Sequence, residues 1–556
     1  MVVLGLSSLA TTLQAQTSSA IPSLKTVAVP GPTQAQLAVY VRDKTAAIQL
    51  GKALFWDVKV GSDNQTACAS CHFHAGADNR ITDKLSSGIP GSAGSPGIGS
   101  AREPDLCAAL SDAVGPSGIG FHRDGLNTRP AQPRNTPSVI NAVYNLRNFW
   151  DGRATNVFHS ADPSRLPAPN TFIWSNENGS LRQVPAAMPL SVLAPQRPGS
   201  PLSASEMTCN SRAFALLGRK LLPLQPLSDQ QIDARDGVLG PMAAQRALKK
   251  QDTYQQLVQT AFQPVFWESQ AKADLAAADT KNTGAKELDK KNDLPAHKMS
   301  QTEANFSLFF SLALQMYQAT LVSDDSPFDR FAEGNTVFLS TQQKNGMVVF
   351  QGQGRCINCH GGAEFTNASL TQVSQVSRQR LQPMPLANAG NAVDGSGFYN
   401  IGVPPATDDV GVGTFKTPGL RNVELTGPYM HNGALSTLKQ VVDFYNRGGD
   451  FAGENRASLA PDIVPLGLSE TQKDDLVAFM LSLTDDRVKF RRAPFDHPSI
   501  CLMNGDAEGA AAKLAAADPK DPSKAAKGPS PCIAAVGASG AATSLKPFLG
   551  LSLFAK

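Results

Sequence analysis

Two copies of one short motif decide the fold class of this chain: Cys68-Ala-Ser-Cys71-His72 and Cys356-Ile-Asn-Cys359-His360. In each copy two thiols lie three positions apart and a histidine follows directly, the arrangement that attaches a c-type haem. The thiols form thioethers with the haem and the imidazole becomes the proximal iron ligand. A zinc site would need four closing ligands, and a redox-active dithiol has no use for the histidine. The sequence therefore predicts two covalent haem c groups.

Length and composition indicate a multidomain globular protein. The chain has 556 residues, of which 41% are hydrophobic and 17% are charged, with a net charge of +3. A chain of this length exceeds one hydrophobic core, so two or three domains are expected. The charge forms no basic stripe, and no apolar run reaches the roughly 20 residues that span a bilayer. We therefore expect no nucleic-acid partner and no membrane span.

Helical periodicity accompanies both motifs. Apolar residues recur at helical spacing in residues 46–55 before the first motif and in residues 342–350 before the second. Residues 468–483 repeat the pattern and begin with a Ser469-x-x-Gln472 capping signal. A closing helix of this kind is typical of a cytochrome c domain. The predicted fold class is mainly α, with two cytochrome c-like haem domains, long loops and little β structure.

The chain divides into five predicted parts. They are a clipped signal peptide at 1–20, an N-terminal haem domain at 27–235, a connecting part at 236–335, a C-terminal cytochrome c domain at 336–498 and a low-complexity tail at 499–556. The connecting part should contain helices over 242–262 and 303–322 around a charged linker, and the tail after Gly505 should be structureless up to its last apolar residues. Residues 1–20 lack a basic start, so an ordinary terminus is the alternative. Covalent haem attachment normally takes place outside the cytoplasm. The predicted location is therefore periplasmic or secreted.

Four cysteines lie outside the motifs: Cys107, Cys209, Cys501 and Cys532. In an oxidising compartment they allow two disulfides. Chain order pairs Cys107 with Cys209 and Cys501 with Cys532, but the other pairings and free thiols stay open.

Further sequence blocks, in a fixed order around the motifs, carry a family resemblance. They are Leu50-Gly-Lys-Ala-Leu-Phe-Trp-Asp57, the Pro133-Arg-Asn block through Asn145, Phe149-Trp-Asp-Gly-Arg-Ala154, Phe415-Lys-Thr-Pro-Gly-Leu-Arg-Asn422 and Gly427-Pro-Tyr-Met-His-Asn-Gly433. Over about residues 46–498 the chain resembles the bacterial di-haem cytochrome c peroxidases, a family that includes MauG-type protein oxidases. Residues 150–158, 305–310, 320–330 and 493–498 resemble the long branch that contains the di-haem rubber oxygenases.

The resemblance implies a division of labour between the two haems. The haem of His72 is the reaction centre, and the haem of His360 passes on electrons from a donor cytochrome or cupredoxin. Trp150 matches a tryptophan that couples the two irons, although by itself it can equally be a packed aromatic at a turn. Asn135 matches a residue that helps to hold a calcium ion, although an asparagine here can equally cap a turn.

The sixth ligand of the second haem is open between three residues. Family members use a methionine just before the Phe-Lys-x-Pro block, but residues 410–415 contain none. Met430, His431 and His497 remain. His497 is the preferred ligand, because its Pro-Phe-Asp-His-Pro block resembles the long branch, whose C-terminal haem has two histidine ligands. Such ligation lowers the haem potential relative to methionine.

Two histidines are candidates for proton transfer at the first haem. His122 precedes the Pro-Arg-Asn block, as the removable distal histidine of the peroxidases does, though several residues too early. His159 follows the Trp150 block. An imidazole with a pKa near 7 suits taking a proton from bound peroxide and returning it to the leaving oxygen. Each can equally be an ordinary loop histidine.

These features predict an exported di-haem oxidoreductase that reduces hydrogen peroxide at the first haem with electrons relayed through the second. One alternative is an oxygen-dependent dioxygenase that cleaves a polyisoprenoid or other alkene. Another is a di-haem electron carrier without enzymatic activity. Asp162-Pro-Ser-Arg165 stands where the rubber oxygenases carry Asn-Pro-Phe-Gly over the haem. This exchange of an apolar residue for a polar one favours peroxide.

Overall fold

The described part of the protein is mostly helical. The structure is a computed structural model, and it describes residues 21–61, 64, 66–79, 122–123, 126–127, 134–159, 172–194, 200–202, 207, 213–246, 253–274, 298–376, 397–404, 413–502 and 532–556. Cys107, Cys209 and residues 162–165 lie outside these ranges. The α-helices are α1 Gln34–Ala38, α2 Lys44–Trp56, α3 Ala69–His72, α4 Phe214–Leu221, α5 Gly240–Arg246, α6 Tyr254–Ala261, α7 Gln301–Ala304, α8 Phe306–Gln318, α9 Pro327–Ala332, α10 Thr341–Gln351, α11 Leu370–Val376, α12 Leu438–Asn446, α13 Glu470–Leu481 and α14 Asp486–Lys489.

The β structure in these ranges consists of two-stranded antiparallel sheets. The paired strands are β1 His122–Arg123 with β2 Leu126–Asn127, β3 Val157–His159 with β6 Ala187–Pro189, β4 Phe172–Glu177 with β5 Ser180–Pro185, β7 Lys272–Asp274 with β8 Lys298–Ser300, β9 Phe398–Asn400 with β10 Thr414–Lys416, and β11 Ile500–Cys501 with β12 Cys532–Ile533. These small sheets and the many helices confirm the mainly α class. None of the described helices is long and apolar enough to cross a membrane.

The helix before the first motif packs across a later helix. Helix α2 begins after Asp43, whose side chain accepts a hydrogen bond from Ala46 N at 3.0 Å. It crosses α8 at Gly51, where an added Cβ would clash with the backbone oxygen of Ala313. Both helices belong to one apolar core beside the first motif. The helix predicted from residues 46–55 is confirmed.

The second motif repeats this arrangement. Helix α10 crosses α13 at Gly346, where a Cβ would clash with the backbone oxygen of Asp475. Each helix begins with a capping box, Ser340 with Gln343 and Ser469 with Gln472. Their apolar faces form a second core with α9 and α12. The helices predicted from residues 342–350 and 468–483 are therefore confirmed.

The predicted connecting helices differ from the observed ones. The expected helix over 303–322 is broken at Asn305 into α7 and α8. The fully buried Asn305 side chain accepts from Trp174 N at 2.7 Å and donates to Trp174 O at 2.7 Å and to Phe266 O at 2.8 Å. Distant backbone groups thus compete with the helix for this residue. The expected helix over 242–262 corresponds to α5 and α6, with residues 247–252 outside the described ranges.

The end of the tail has a fixed structure. Cys501 and Cys532 form a disulfide and pair β11 with β12, which confirms one predicted pairing. Val536 exchanges backbone hydrogen bonds with His497, and Leu553 is buried in the second core, where its carbonyl accepts from Lys439 N at 2.9 Å. Residues 532–556 therefore contradict the expectation of a structureless tail up to the last apolar residues.

We expect the disulfide to stabilise this attachment. It closes a loop with a sequence separation of 31 residues. By the chain-entropy estimate, replacing Cys501 and Cys532 together by serine lowers the free energy of unfolding by about 3–4 kcal/mol. Denaturant unfolding of the oxidised wild type and of the double variant measures this. A difference below ~1 kcal/mol would show that the tail attaches without it.

Candidate functional site

The second motif opens on a cavity of about 800 Å³, its mouth included. Cys356, Cys359 and His360 line it together with Trp150, Met430 and His431. His360 Nδ1 lies 3.2 Å from Phe365 O and 3.1 Å from Pro418 O. A carbonyl oxygen only accepts, so Nδ1 carries the proton and Nε2 keeps its lone pair. Burial lowers the pKa of His360 to about 4, so the ring is neutral, as a metal ligand must be.

The first motif opens on a separate cavity of about 420 Å³, its mouth included. It is lined by His72 with Phe55, Trp56, Tyr317, Arg491 and His497. His72 Nδ1 lies 2.8 Å from Gly76 O, which fixes the same tautomer as in His360. Both motif histidines are thus held by backbone carbonyls in the form that binds iron through Nε2.

An unpaired cation in each cavity fits a haem propionate. Lys416 is 5% exposed, and the only hydrogen bond of its side chain within the described ranges runs from Nζ to Thr417 O at 3.4 Å. Arg491 has a buried Nε without a hydrogen-bond partner in the same ranges. A buried cation without a counter-charge is costly. Because a haem brings two carboxylates, the residues of both cavities fit the cofactor that the motifs predict.

His497 lies in the first cavity, not in the second. Its ring stacks on Trp56 with centroids 4.8 Å apart, and its Nδ1 lies 2.9 Å from Pro498 O. The residues that line the second cavity do not include it. This placement contradicts the assignment of His497 to the second iron. The cause is the path of the chain after α14, which runs back to the first core, where Phe495 and Ile500 are buried.

The other two candidate ligands do lie in the second cavity. The His431 ring stacks on Phe415 with centroids 3.7 Å apart, and it lies edge-on to Trp150 at 6.3 Å. Met430 precedes it with a left-handed φ of 71°. His431 is 3% exposed. The geometry therefore leaves His431 and Met430 as candidates for the sixth ligand of the second haem.

Trp150 and Asn135 lie together beside the second cavity. Trp150 Nε1 donates to Asn135 O at 2.8 Å, and Trp150 O accepts from Lys416 N at 2.8 Å. Asn135 N donates to His431 O at 2.6 Å, and Asn135 Nδ2 lies 2.5 Å from Pro428 O. Sequence blocks separated by nearly 300 residues thus meet at one cavity wall. Trp150 and His360 line the same cavity. Among the described residues, Trp150 does not line the first cavity.

The two predicted proton-transfer histidines are placed only by their backbones. His122 belongs to β1 and His159 to β3, where it pairs with Ala187. Their side chains lie outside the described part of the structure, so both roles stay predictions.

Sequence reasoning missed four residues that line the cavities: Trp56, Tyr317, Lys416 and Arg491. Trp56 and Lys416 lie inside the sequence blocks quoted above, so their positions carried a signal. Tyr317 and Arg491 carried none. His74 is buried as well, and its Nε2 lies 2.9 Å from Lys546 O in the tail.

A family sequence profile described as di-haem cytochrome c peroxidase matches residues 45–337, which is more than half of the chain. The chain belongs to the di-haem cytochrome c peroxidase family. The predicted family is thereby confirmed. The resemblance to the rubber-oxygenase branch stays a prediction.

Several curated proteins of this di-haem family are similar to the chain. Cytochrome-c peroxidase IdrP2 of Denitromonas iodatirespirans is 38% identical over 184 residues, which are 31% of this chain and 47% of the relative. Methylamine utilization protein MauG of Methylorubrum extorquens is 32% identical over 238 residues, 40% of this chain and 61% of the relative. Cytochrome c551 peroxidase of Pseudomonas aeruginosa is 32% identical over 186 residues, 33% and 46% of the two chains. The chain thus spans about half the length of these relatives.

Solved structures show a weaker likeness. A MauG-like protein associated with microbial copper homeostasis is 20% identical, with a TM-score of 0.43 over 81% of this chain and 92% of that one. The diheme peroxidase BthA from Burkholderia thailandensis is 18% identical, with a TM-score of 0.40 over 84% and 95%.

Proposed function

We propose that this protein is a periplasmic di-haem peroxidase that reduces hydrogen peroxide at the haem of His72, with electrons relayed through the haem of His360 from a donor cytochrome or cupredoxin. One observation supports the proposal most directly: each motif histidine lines a cavity of its own. A backbone carbonyl holds each of these rings in the tautomer that binds iron. Membership of the peroxidase family gives those two cavities their chemistry.

Two cytochrome c-like domains are part of this proposal. In each one a helix leads into the motif and crosses a later helix at a glycine, Gly51 in the first and Gly346 in the second. This repeated pair of crossed helices supports two haem units of the same construction.

The residues of each cavity have distinct tasks in the proposed reaction. A bound haem would supply the iron at which peroxide is reduced, and the electrons would come from the donor protein. His72 would hold the first iron, and His122 or His159 would accept and return the peroxide proton. His431 would be the sixth ligand at the second cavity, since its ring is fixed by Phe415 and lies beside Trp150. Trp150 would shorten the path for electrons.

Lys416 is expected to tune the second haem. A buried positive charge favours the reduced, less positive state of a nearby iron. The Lys416→Met variant should therefore lower the midpoint potential of the second haem, measured by optical redox titration. Lys439→Met is the matched control, since Lys439 is also buried but pairs with Asp474 and Glu470 away from the cavity. Equal potentials in wild type and Lys416→Met would contradict this role.

Asn135 is the basis for a calcium proposal. Its side-chain Nδ2 lies 2.5 Å from Pro428 O. If the amide O and N are exchanged, Asn135 Oδ1 and Pro428 O lie side by side, and calcium binds such oxygen ligands. Among the described residues no cluster of three or more acidic, histidine or cysteine side chains offers a metal site. Removing calcium with a chelator should slow electron transfer between the haems, and adding it back should restore the rate. An unchanged rate in chelator, with no calcium found by elemental analysis, would refute this.

The proposed function is tested with purified protein that carries both haems. Hydrogen peroxide with a reduced donor cytochrome should give peroxide-dependent oxidation of the donor. Polyisoprene with air and no donor should give no cleavage products. Cleavage of polyisoprene without peroxide-dependent oxidation of the donor would instead establish an oxygen-dependent dioxygenase. If neither activity were found, the protein would be an electron carrier.

A further inference from the structure

A tryptophan and a tyrosine are joined in the wall of the first cavity. Trp56 Nε1 donates a hydrogen bond to Tyr317 Oη at 3.0 Å, and both side chains line the cavity with His72. Tyr317 is 2% exposed and Trp56 5%. The indole also stacks on His497, with ring planes 12° apart. This cluster is separate from Trp150, which lines the second cavity.

A buried charge cluster lies next to this pair. Lys52 Nζ lies 2.8 Å from Asp236 Oδ1 and 3.3 Å from Asp496 Oδ1, and all three side chains are fully buried. Two carboxyl groups thus share one ammonium group. Burial raises the pKa of Tyr317, and the negative charge of Asp236 and Asp496 raises it further. A field that disfavours a tyrosinate favours positive charge on the neighbouring indole.

We propose that Trp56 is an oxidisable residue of the first haem, with Tyr317 as its positioning partner. This inference rests on the proposed peroxide reduction at that haem. Reduction of one hydrogen peroxide to two waters takes two electrons and two protons. When no donor is present, a haem held by His72 would supply one of these electrons and Trp56 the other, so that Trp56 becomes an indole cation radical, and solvent supplies the two protons. Its Nε1 proton stays in place on the hydrogen bond to Tyr317 Oη, and a later electron from the donor returns the indole to its resting state.

The neighbours of Trp56 explain why the charge rests there. The indole is shielded from water, so the radical is protected from side reactions. The Tyr317 oxygen stabilises the positively charged N–H, and charge-assisted hydrogen bonds are stronger than neutral ones. Asp236 and Asp496 lower the cost of the positive charge. Trp56 would therefore hold an oxidising equivalent until the second haem delivers an electron.

The test is electron paramagnetic resonance on the protein with both haems, frozen after one equivalent of hydrogen peroxide without donor. An organic radical signal is expected in the wild type, and protein grown with ring-deuterated tryptophan should show a narrower signal. Trp56→Phe should lose most of the signal. Trp267→Phe is the matched control, since Trp267 Nε1 donates to Phe262 O and lines neither cavity; it should retain the signal.

Three results would overturn the inference. They are an unchanged linewidth with deuterated tryptophan, a full signal in Trp56→Phe, or loss of the signal in Trp150→Phe but not in Trp56→Phe. Should Trp56→Phe fail to fold, Tyr317→Phe gives the second measurement: the tryptophan radical should decay faster without its hydrogen-bond acceptor, and an unchanged lifetime would count against the pair. Peroxide consumption is recorded on the same samples. A protein that consumes no peroxide refutes the proposed function, whereas consumption without a tryptophan radical refutes this inference alone.

Discussion

Replacing His72 by glycine is expected to reduce peroxide reduction to background. The variant keeps Cys68 and Cys71, so the first haem stays covalently attached, but its iron loses the imidazole that the Gly76 carbonyl orients. Added imidazole should restore part of the activity, because it can occupy the space left by the side chain. Steady-state donor oxidation with peroxide, with and without imidazole, measures both effects.

His360→Gly is the matched control for this experiment. It removes the equivalent ligand from the second haem. Turnover with the donor should fall, but a single reaction with peroxide at the first haem should persist. A His72→Gly variant with full activity, or a His360→Gly variant that no longer reacts with peroxide at all, would reverse the proposed roles of the two haems.

Loss of the Asp329 carboxylate is expected to be the most destabilising change outside the haem sites. The Arg421 guanidinium donates to its two oxygens at 2.7 Å and 2.8 Å, and both side chains are buried. Leu24 N donates to it as well, at 2.9 Å. Asp329→Ala leaves the guanidinium buried without a counter-charge, so the free energy of unfolding should fall by about 3–5 kcal/mol. Denaturant unfolding measures the loss.

Asp325→Ala is the control for Asp329→Ala. Asp325 pairs with Lys25 and Arg330 at the surface, and an exposed pair contributes roughly 0–1 kcal/mol. Equal losses in the two variants would contradict the argument from burial.

Burial alone would raise the pKa of Asp329, but the charge of Arg421 and the hydrogen bonds outweigh it and hold the pKa below its ordinary value. This stabilisation is therefore full above pH ~4 and is lost as the pH falls through the lowered value.

The features that the sequence predicted well depend on nearby residues. Each haem motif spans five positions, and the capping box of Ser469 and Gln472 lies within four, so the local sequence contains all the information needed. The break at Asn305 could not be predicted in the same way. It depends on the backbone of Trp174 and Phe266, which lie far away in sequence.

Which of the two cavities His497 faces could not be predicted from nearby residues. Its sequence block indicates a histidine held between two prolines, but which haem it faces depends on the path of the chain after α14. The backbone pairing with Val536 and the stacking on Trp56 fix that path. The role of Lys416 could not be predicted from the sequence either, because only the folded structure shows that no carboxylate of the described residues lies near its amine.

Arg421 lies in the sequence block from Phe415 to Asn422, close to the second motif in the fold, but the structure pairs it with Asp329. The residues whose charges remain unpaired, Lys416 and Arg491, are better partners for a cofactor carboxylate. Charge alone therefore does not identify a binding residue; burial and the absence of a protein partner among the described residues do.

The central claim is that the protein carries two haems and only the one held by His72 takes up an external ligand. The most direct measurement is a cyanide titration of the oxidised protein, with haem counted by the mass of the intact chain. We predict two haems and one cyanide per chain, and a changed cyanide affinity in His72→Gly. A mass with fewer than two haems, or a binding stoichiometry of zero or two, would contradict the account.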